Sequence, residues 1–282
     1  MALLTRSGRG LLVVANPRNL KAEMPNAPVD PDKAHAEAVA DAKRLMRLAR
    51  TGALATLEAE GSGLLTTLVG VASDFDGAPL FLMSTLSRHT RNLAHDPRAS
   101  LLLTGAHDRG DPLNHPRVTL GGRVELGAAS SAKSRYLQRN RKAALYAGFA
   151  DFGMFRLRIE SVHFNGGFGR AGALTPADVL ASRAGEAALT EAEERLIAEV
   201  NALGDAPLAR LAGHKASRTA WRAIGLDCEG LDLAAGGRAA RVQFHVPADD
   251  PATWRMRLEE RLAGGSELDA PVRSDWRPNN PK

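Results

Sequence analysis

The stretch STLSRHTRNLAHDPRASLLL, Ser84 to Leu103, decides the fold. An apolar strand runs into it and ends in a hydroxyl-rich, doubly basic turn. A helical segment follows and stops at Asp96-Pro97, because the residue before a proline is pushed out of the helical region. A second apolar strand then begins at Ala99. Ser, Arg, His and Thr are concentrated where a strand hands over to a helix. A helix N-terminus presents unpaired N–H groups and a partial positive charge, and phosphate groups bind there. Ser84, Ser87 and Thr90 offer hydroxyls, and Arg88 and Arg91 offer guanidinium groups that grip a phosphate with two hydrogen bonds. The stretch has two readings: a capped surface helix with solvated arginines, or an anion cradle.

Working outward, ALATLEA (Ala53–Ala59), LLTTLVGVA (Leu64–Ala72), PLFLMST (Pro79–Thr85), ASLLLTG (Ala99–Gly105) and RVTLGGRVEL (Arg117–Leu126) read as strands. DFDG (Asp74–Gly77) fits a hairpin turn. Asp30-Pro31 opens a helix as N-cap and first helical residue. Val39, Ala42, Leu45, Met46 and Ala49 share one face of it, and Gly52 is its expected stop. Ala129–Ala147 is a second helical region, and DFGMFRLRIESVHF (Asp151–Phe164) alternates as a long strand. The fold class is therefore α+β: antiparallel strands forming a barrel with helical decoration, followed by a small α+β domain. The small domain reads as a helix from Thr190, a strand–turn–strand over 227–246 and a closing helix in which Trp254, Met256, Leu258 and Leu262 pack. The expected divisions are an arm over 1–29, the barrel over 30–174, the small domain over 188–264 and a loose tail over 265–282.

The chain has 282 residues, 44% apolar and only 5% aromatic, with formal net charge +5. Its basic residues are dispersed along the sequence, so nothing calls for nucleic acid. Anionic ligands carrying phosphate or propionate fit the balance. A lone cysteine, Cys228, makes no intramolecular disulfide and indicates a cytoplasmic setting. No apolar run reaches the length of a membrane span. The start, MALLTRSGRG, has the acid-free, Arg-bearing composition of a transit segment, but we expect a bacterial extension.

Beyond these residues lies a resemblance. The strand, the D-x-x-G turn, the second strand and Ser87-Arg88-His89 with Leu93 resemble the FMN-binding split barrels of the pyridoxamine 5'-phosphate oxidase type. There an S-R-K segment holds the FMN phosphate; His89 stands at the lysine position. The family's R-x-V-L-L-K strand falls on Thr66 to Val71, where neither the arginine nor the lysine is present. Its Q-V-R-V-x-G-x-V strand falls on Arg117 to Val124, with Arg117 at the glutamine position. Within this superfamily, HTRNLAHDPRASLLL, GDPL (Gly110–Leu113), PRVTLGGRVE and VHFNGGFGRA are most similar to the HugZ haem-utilisation branch, which carries a C-terminal DUF2470-type domain. That domain's H-M-N-x-D-H motif keeps only Asn201 here.

The resemblance implies that the barrel is an antiparallel split β-barrel, and that it forms a homodimer with FMN, or alternatively haem, between subunits. Ser84, Ser87, Arg88, His89 and Thr90 would hold the phosphate. Thr66, Thr67 and Arg117 would line the flavin ring, with Arg170 at its edge. It implies a flavin-dependent oxidoreductase of unknown substrate; a haem oxygenase or a non-enzymatic regulatory protein are the alternatives. No catalytic residue is identified, because the cofactor carries the redox chemistry. His163, His214 and His245 are candidate haem ligands. The R-L-x-P segment of the pyridoxal phosphate-forming oxidases is missing. His107, Asp108, Asp111 and His115 sit in a Gly/Pro loop that reads as solvated rather than metal-binding.

Overall fold

A computed structural model describes residues 30–105, 111–128, 130–167, 171–214, 219–264 and 272–273. The first helix, α1 (Pro31–Leu48), begins as expected: the Asp30 side chain accepts the Asp32 N–H at 3.1 Å. It ends at Ala49, which turns extended. Gly52, the expected stop, instead lies within β1 (Thr51–Leu57). A Cβ there would stand 2.7 Å from Leu101 Cδ1, so this glycine serves close packing between strands rather than a cap.

The first sheet continues with β2 (Leu64–Gly70), β3 (Ala72–Ser73), β4 (Pro79–Ser84), β5 (Arg98–Thr104), β6 (Arg117–Leu126), β7 (Phe152–Asn165) and β8 (Ala171–Leu174), with α2 (Arg88–His95) and α3 (Ser130–Arg139) inserted. It is antiparallel in the order β2-β1-β5-β6-β7-β4-β3, with β8 on β7. Alternation puts Leu54, Leu101, Leu120 and Val162 in one cross-strand row facing the core. Phe81, Leu157, Phe164 and the α1 face of Ala42, Leu45 and Met46 complete that core. At Gly121/Gly122 the β6–β7 register shifts. A Cβ on Gly122 would fall 2.0 Å from the Arg158 carbonyl, so only glycine permits this bulge. In the DFDG turn, Gly77 adopts φ +96, which also favours glycine.

A short helix, α4 (Pro176–Val179), leads to α5 (Glu186–Ala202), α6 (Asp205–Leu211), β9 (Arg222–Asp227), β10 (Gly230–Ala235), β11 (Arg238–Gln243), α7 (Pro251–Ala263) and β12 (Val272–Arg273). The second sheet runs β12-β11-β10-β9, all antiparallel. The helix expected from Thr190 starts earlier, after left-handed Gly185. A Cβ on Gly185 would meet the Asp249 carbonyl at 1.9 Å, so this start is set by a tertiary contact. Trp254 and Leu258 are buried as expected, whereas Met256 is exposed. The chain is thus α+β, a split antiparallel barrel with helical decoration followed by a smaller α+β unit.

The two units interlock. Phe75, from the DFDG turn of the first sheet, packs in the second core with Trp254 and Leu196. Arg47 of α1 donates to the Asp74 and Phe75 carbonyls and reaches Asp227 Oδ2 at 3.1 Å. Arg241 grips both oxygens of Asp227 at 2.7 Å. Burial alone would raise the Asp227 pKa, but Arg241 and Arg47 hold it down at about 2.

Candidate anion-binding corner

The Ser84–Thr90 segment forms a compact hydrogen-bonded corner. Asn92 fixes α2 against β1: its side chain donates to Thr56 Oγ1 at 3.0 Å and accepts the Ala59 N–H at 3.1 Å. Leu93 enters the barrel core from the same helix. Asp96 ends the helix in an extended conformation, as the following proline requires.

Ser87 is the N-cap residue of α2, but its side chain makes no capping bond. Its single hydroxyl proton goes to the Ser84 carbonyl at 2.7 Å. It therefore accepts from His89 Nε2 at 2.9 Å and from Thr90 Oγ1 at 2.7 Å. That network assigns the His89 proton to Nε2, leaving Nδ1 to accept from Thr67 Oγ1 at 3.2 Å. Partial burial lowers the His89 pKa, in keeping with a neutral ring. Ser84 Oγ accepts the Leu86 N–H at 3.0 Å and donates to Asp151 Oδ2 at 2.5 Å. Arg88 reaches outward to Glu58 Oε1 at 2.5 Å, and Arg91 is exposed.

Ser84, Ser87, His89, Thr90 and Thr67 are therefore brought together. Thr66 is not part of this network: alternation turns it to the opposite face of β2, between exposed Leu64 and Leu68. Arg117 lies on β6, with β1 and β5 between it and β2, and donates to the Leu113 carbonyl at 2.9 Å. Within one chain it is remote from the corner. Arg170, like His107 and Asp108, lies outside the described residues. Among the described residues no cluster of His, Cys, Asp and Glu could hold a metal ion, and no helix is long and apolar enough to cross a membrane. Cys228 is buried and its pKa is pushed up to about 11, first by burial and then by Asp227 and Glu229. It is a core thiol, not a nucleophile.

The corner fits one anionic group through the first-turn amides of α2, which the Ser87 side chain leaves uncapped, with Arg88 and Arg91 alongside. It lacks a dense set of side-chain cations: the hydroxyls are engaged with each other, His89 is neutral, and Thr66 and Val71 carry no charge. Asp151, Glu58 and Asn92 were not expected at this site. Ser84 and Asp151 are 67 residues apart in sequence, and no spacing pattern links them.

The curled antiparallel sheet, with a helix opening after its fourth strand, defines a split barrel of the FMN-binding clan. The family described as CREG, beta-barrel matches residues 33–180, just over half of the chain, and the chain belongs to it. The crystal structure of Atu2129, a protein of unknown function from Agrobacterium tumefaciens, is 34% identical, covering 80% of this chain and 95% of that one at TM-score 0.70. A heme binding protein from Mycobacterium smegmatis is 28% identical, covering 80% of this chain and 96% of that one at TM-score 0.48. The non-canonical heme oxygenase HOZ of Arabidopsis thaliana chloroplasts is 32% identical over 108 residues. That stretch is 37% of this chain, and the chain spans only 32% of that relative's length.

Proposed function

We propose that this protein binds FMN at the α2 corner and acts in the cytoplasm as a flavin-dependent oxidoreductase. The observation that carries the reading is the uncapped first turn of α2 flanked by Arg88 and Arg91. Backbone N–H groups of residues 88–90 would take the phosphate, with the two arginines alongside. FMN, when bound, supplies the electron transfer. The chain's part is to hold the phosphate, fix the His89 ring between Thr67 and Ser87, and present the β2 edge to the flavin ring. A second copy of the chain would cover that edge: Leu64 and Leu68 are 73% and 77% exposed on its outer side, an apolar surface uncommon on a free monomer.

A second reading, haem binding, is favoured by the relative named as a heme oxygenase and by one row of the outer face. There the registers align Leu68, Ala53, Leu102, Thr119, His163 and Ala173, so an exposed imidazole stands within a largely apolar row. The absorption spectrum of the purified protein, followed by titration with FMN and with haem, tests both. Flavin bands, and FMN affinity weakened at least about tenfold in Arg88→Ala/His89→Ala, support the first. A Soret band that is lost in His163→Ala supports the second. If neither cofactor binds, both readings fall.

A further inference from the structure

A concentration of positive charge lies away from the α2 corner, in a cavity of about 730 Å³ between the two sheets. The end of α3 and the turn after it, the start of β1, and β9 and β11 all contribute to its lining. Arg50, Arg139, Arg141, Lys142, Arg222 and Arg238 line it, and its lining includes no Asp or Glu. Such a volume suits a small molecule rather than a bare ion.

Arg139 sets this cavity apart from a solvated basic surface. It is 9% exposed, yet Nε, Nη1 and Nη2 all lack a hydrogen-bond partner. Burial lowers its pKa; Asp232 opposes that from a distance and Arg50 adds to it. Asp232 is itself held by Arg241 at 3.1 Å. A buried guanidinium without acceptors is a standing cost that a bound anion would relieve. Other cations here are already placed. Arg222 donates to the Gln138 carbonyl at 3.0 Å, and Arg238 lies 5.1 Å over the Trp221 ring. One wall is apolar: the Tyr146 and Phe152 rings pack at a tilt, 4.9 Å between centroids, and Leu82 also lines the cavity. Gly70 leaves room for the Tyr136 hydroxyl, which a Cβ there would meet at 2.4 Å.

We propose that this cavity is a binding site for a phosphorylated small molecule with a ring body, its phosphates held by Arg139 and the cations around it and its ring set against Tyr146 and Phe152. The site is separate from the α2 corner and does not depend on which cofactor binds there.

Isothermal titration of the full chain with ADP, inorganic pyrophosphate and adenosine tests the proposal. ADP should bind, pyrophosphate should bind more weakly, and adenosine should not bind. Arg139→Met should weaken ADP about ten- to a hundredfold, the range for losing hydrogen bonds to a charged group. Arg141→Ala removes an exposed side chain, should melt like the parent and should weaken ADP several-fold. The proposal is overturned if neither ADP nor pyrophosphate binds at millimolar concentration, or if Arg141→Ala, folded as the parent, binds ADP with unchanged affinity. Loss of ADP binding in Arg88→Ala/His89→Ala would also overturn it, by moving the anion to the other corner.

Discussion

Buried arginines at two places in this molecule behave in opposite ways. Around Asp227, every guanidinium has found its acceptors: Arg47 and Arg241 are 6% and 3% exposed and converge on one carboxylate and on turn carbonyls. In the cavity at the end of α3, Arg139 is also buried and has no hydrogen-bond acceptor. The arginines around Asp227 hold the two units together. Arg139 is an unmet electrostatic demand. Burial of a charge therefore does not by itself identify its purpose; the purpose shows in whether the folded chain supplies the counter-charge.

Removing that counter-charge gives the largest expected effect. Asp227→Asn should cost about 3–5 kcal/mol in chemical denaturation, because two buried guanidinium groups lose their carboxylate. Acid offers a gentler route to the same break. The folded Asp227 pKa is about 2 against an ordinary 3.8, so its contribution is complete above the ordinary value and is lost as pH falls toward 2. The acid-induced loss attributable to this group should be about 2 kcal/mol, and the Asn variant should lack that part of the pH dependence. Arg139→Met provides the contrast: the apo protein should melt at or slightly above the parent, within about 1 kcal/mol, since it removes an unpaired charge and keeps the packing. A loss comparable with that of Asp227→Asn would make the two places alike. Glu58→Gln, at the exposed Arg88 pair, should change stability least, by less than about 1 kcal/mol in the same denaturation assay.

Much of the barrel was legible because its signals are local. The strand patterns of Pro79–Thr85 and Arg117–Leu126, Asp30-Pro31, DFDG and Asp96-Pro97 each act within a few residues, and their elements stand where the pattern put them, whereas the strand read over Leu64–Ala72 breaks at Val71 into β2 and β3. What escaped depends on distant contacts. Gly52 looked like a helix stop because its packing partner, Leu101, lies beyond β2, β3, β4 and α2 in sequence. The early start of α5 depends on Asp249, and β9 and α6 carried too little period to be read. The hydroxyl and imidazole cluster at Ser84–Thr90 was visible as composition, and the fold adds Thr67 to it. The internal pairing of those groups was not visible, since Asp151 and Glu58 arrive from other strands and loops. The basic cavity left no local trace: cations spread from Arg50 to Arg238 look dispersed until two sheets bring them together.

Helix α1 belongs to both units, and this has a consequence for biosynthesis. Its apolar face fills the barrel, while Lys43 and Arg47 wait for Glu229 and Asp227, which leave the ribosome much later. Until those residues arrive, the nascent barrel carries an Arg47 guanidinium without its carboxylate and an uncovered Phe75. A fragment cut after β8 would reproduce that unfinished state permanently and should stick to itself or to chaperones.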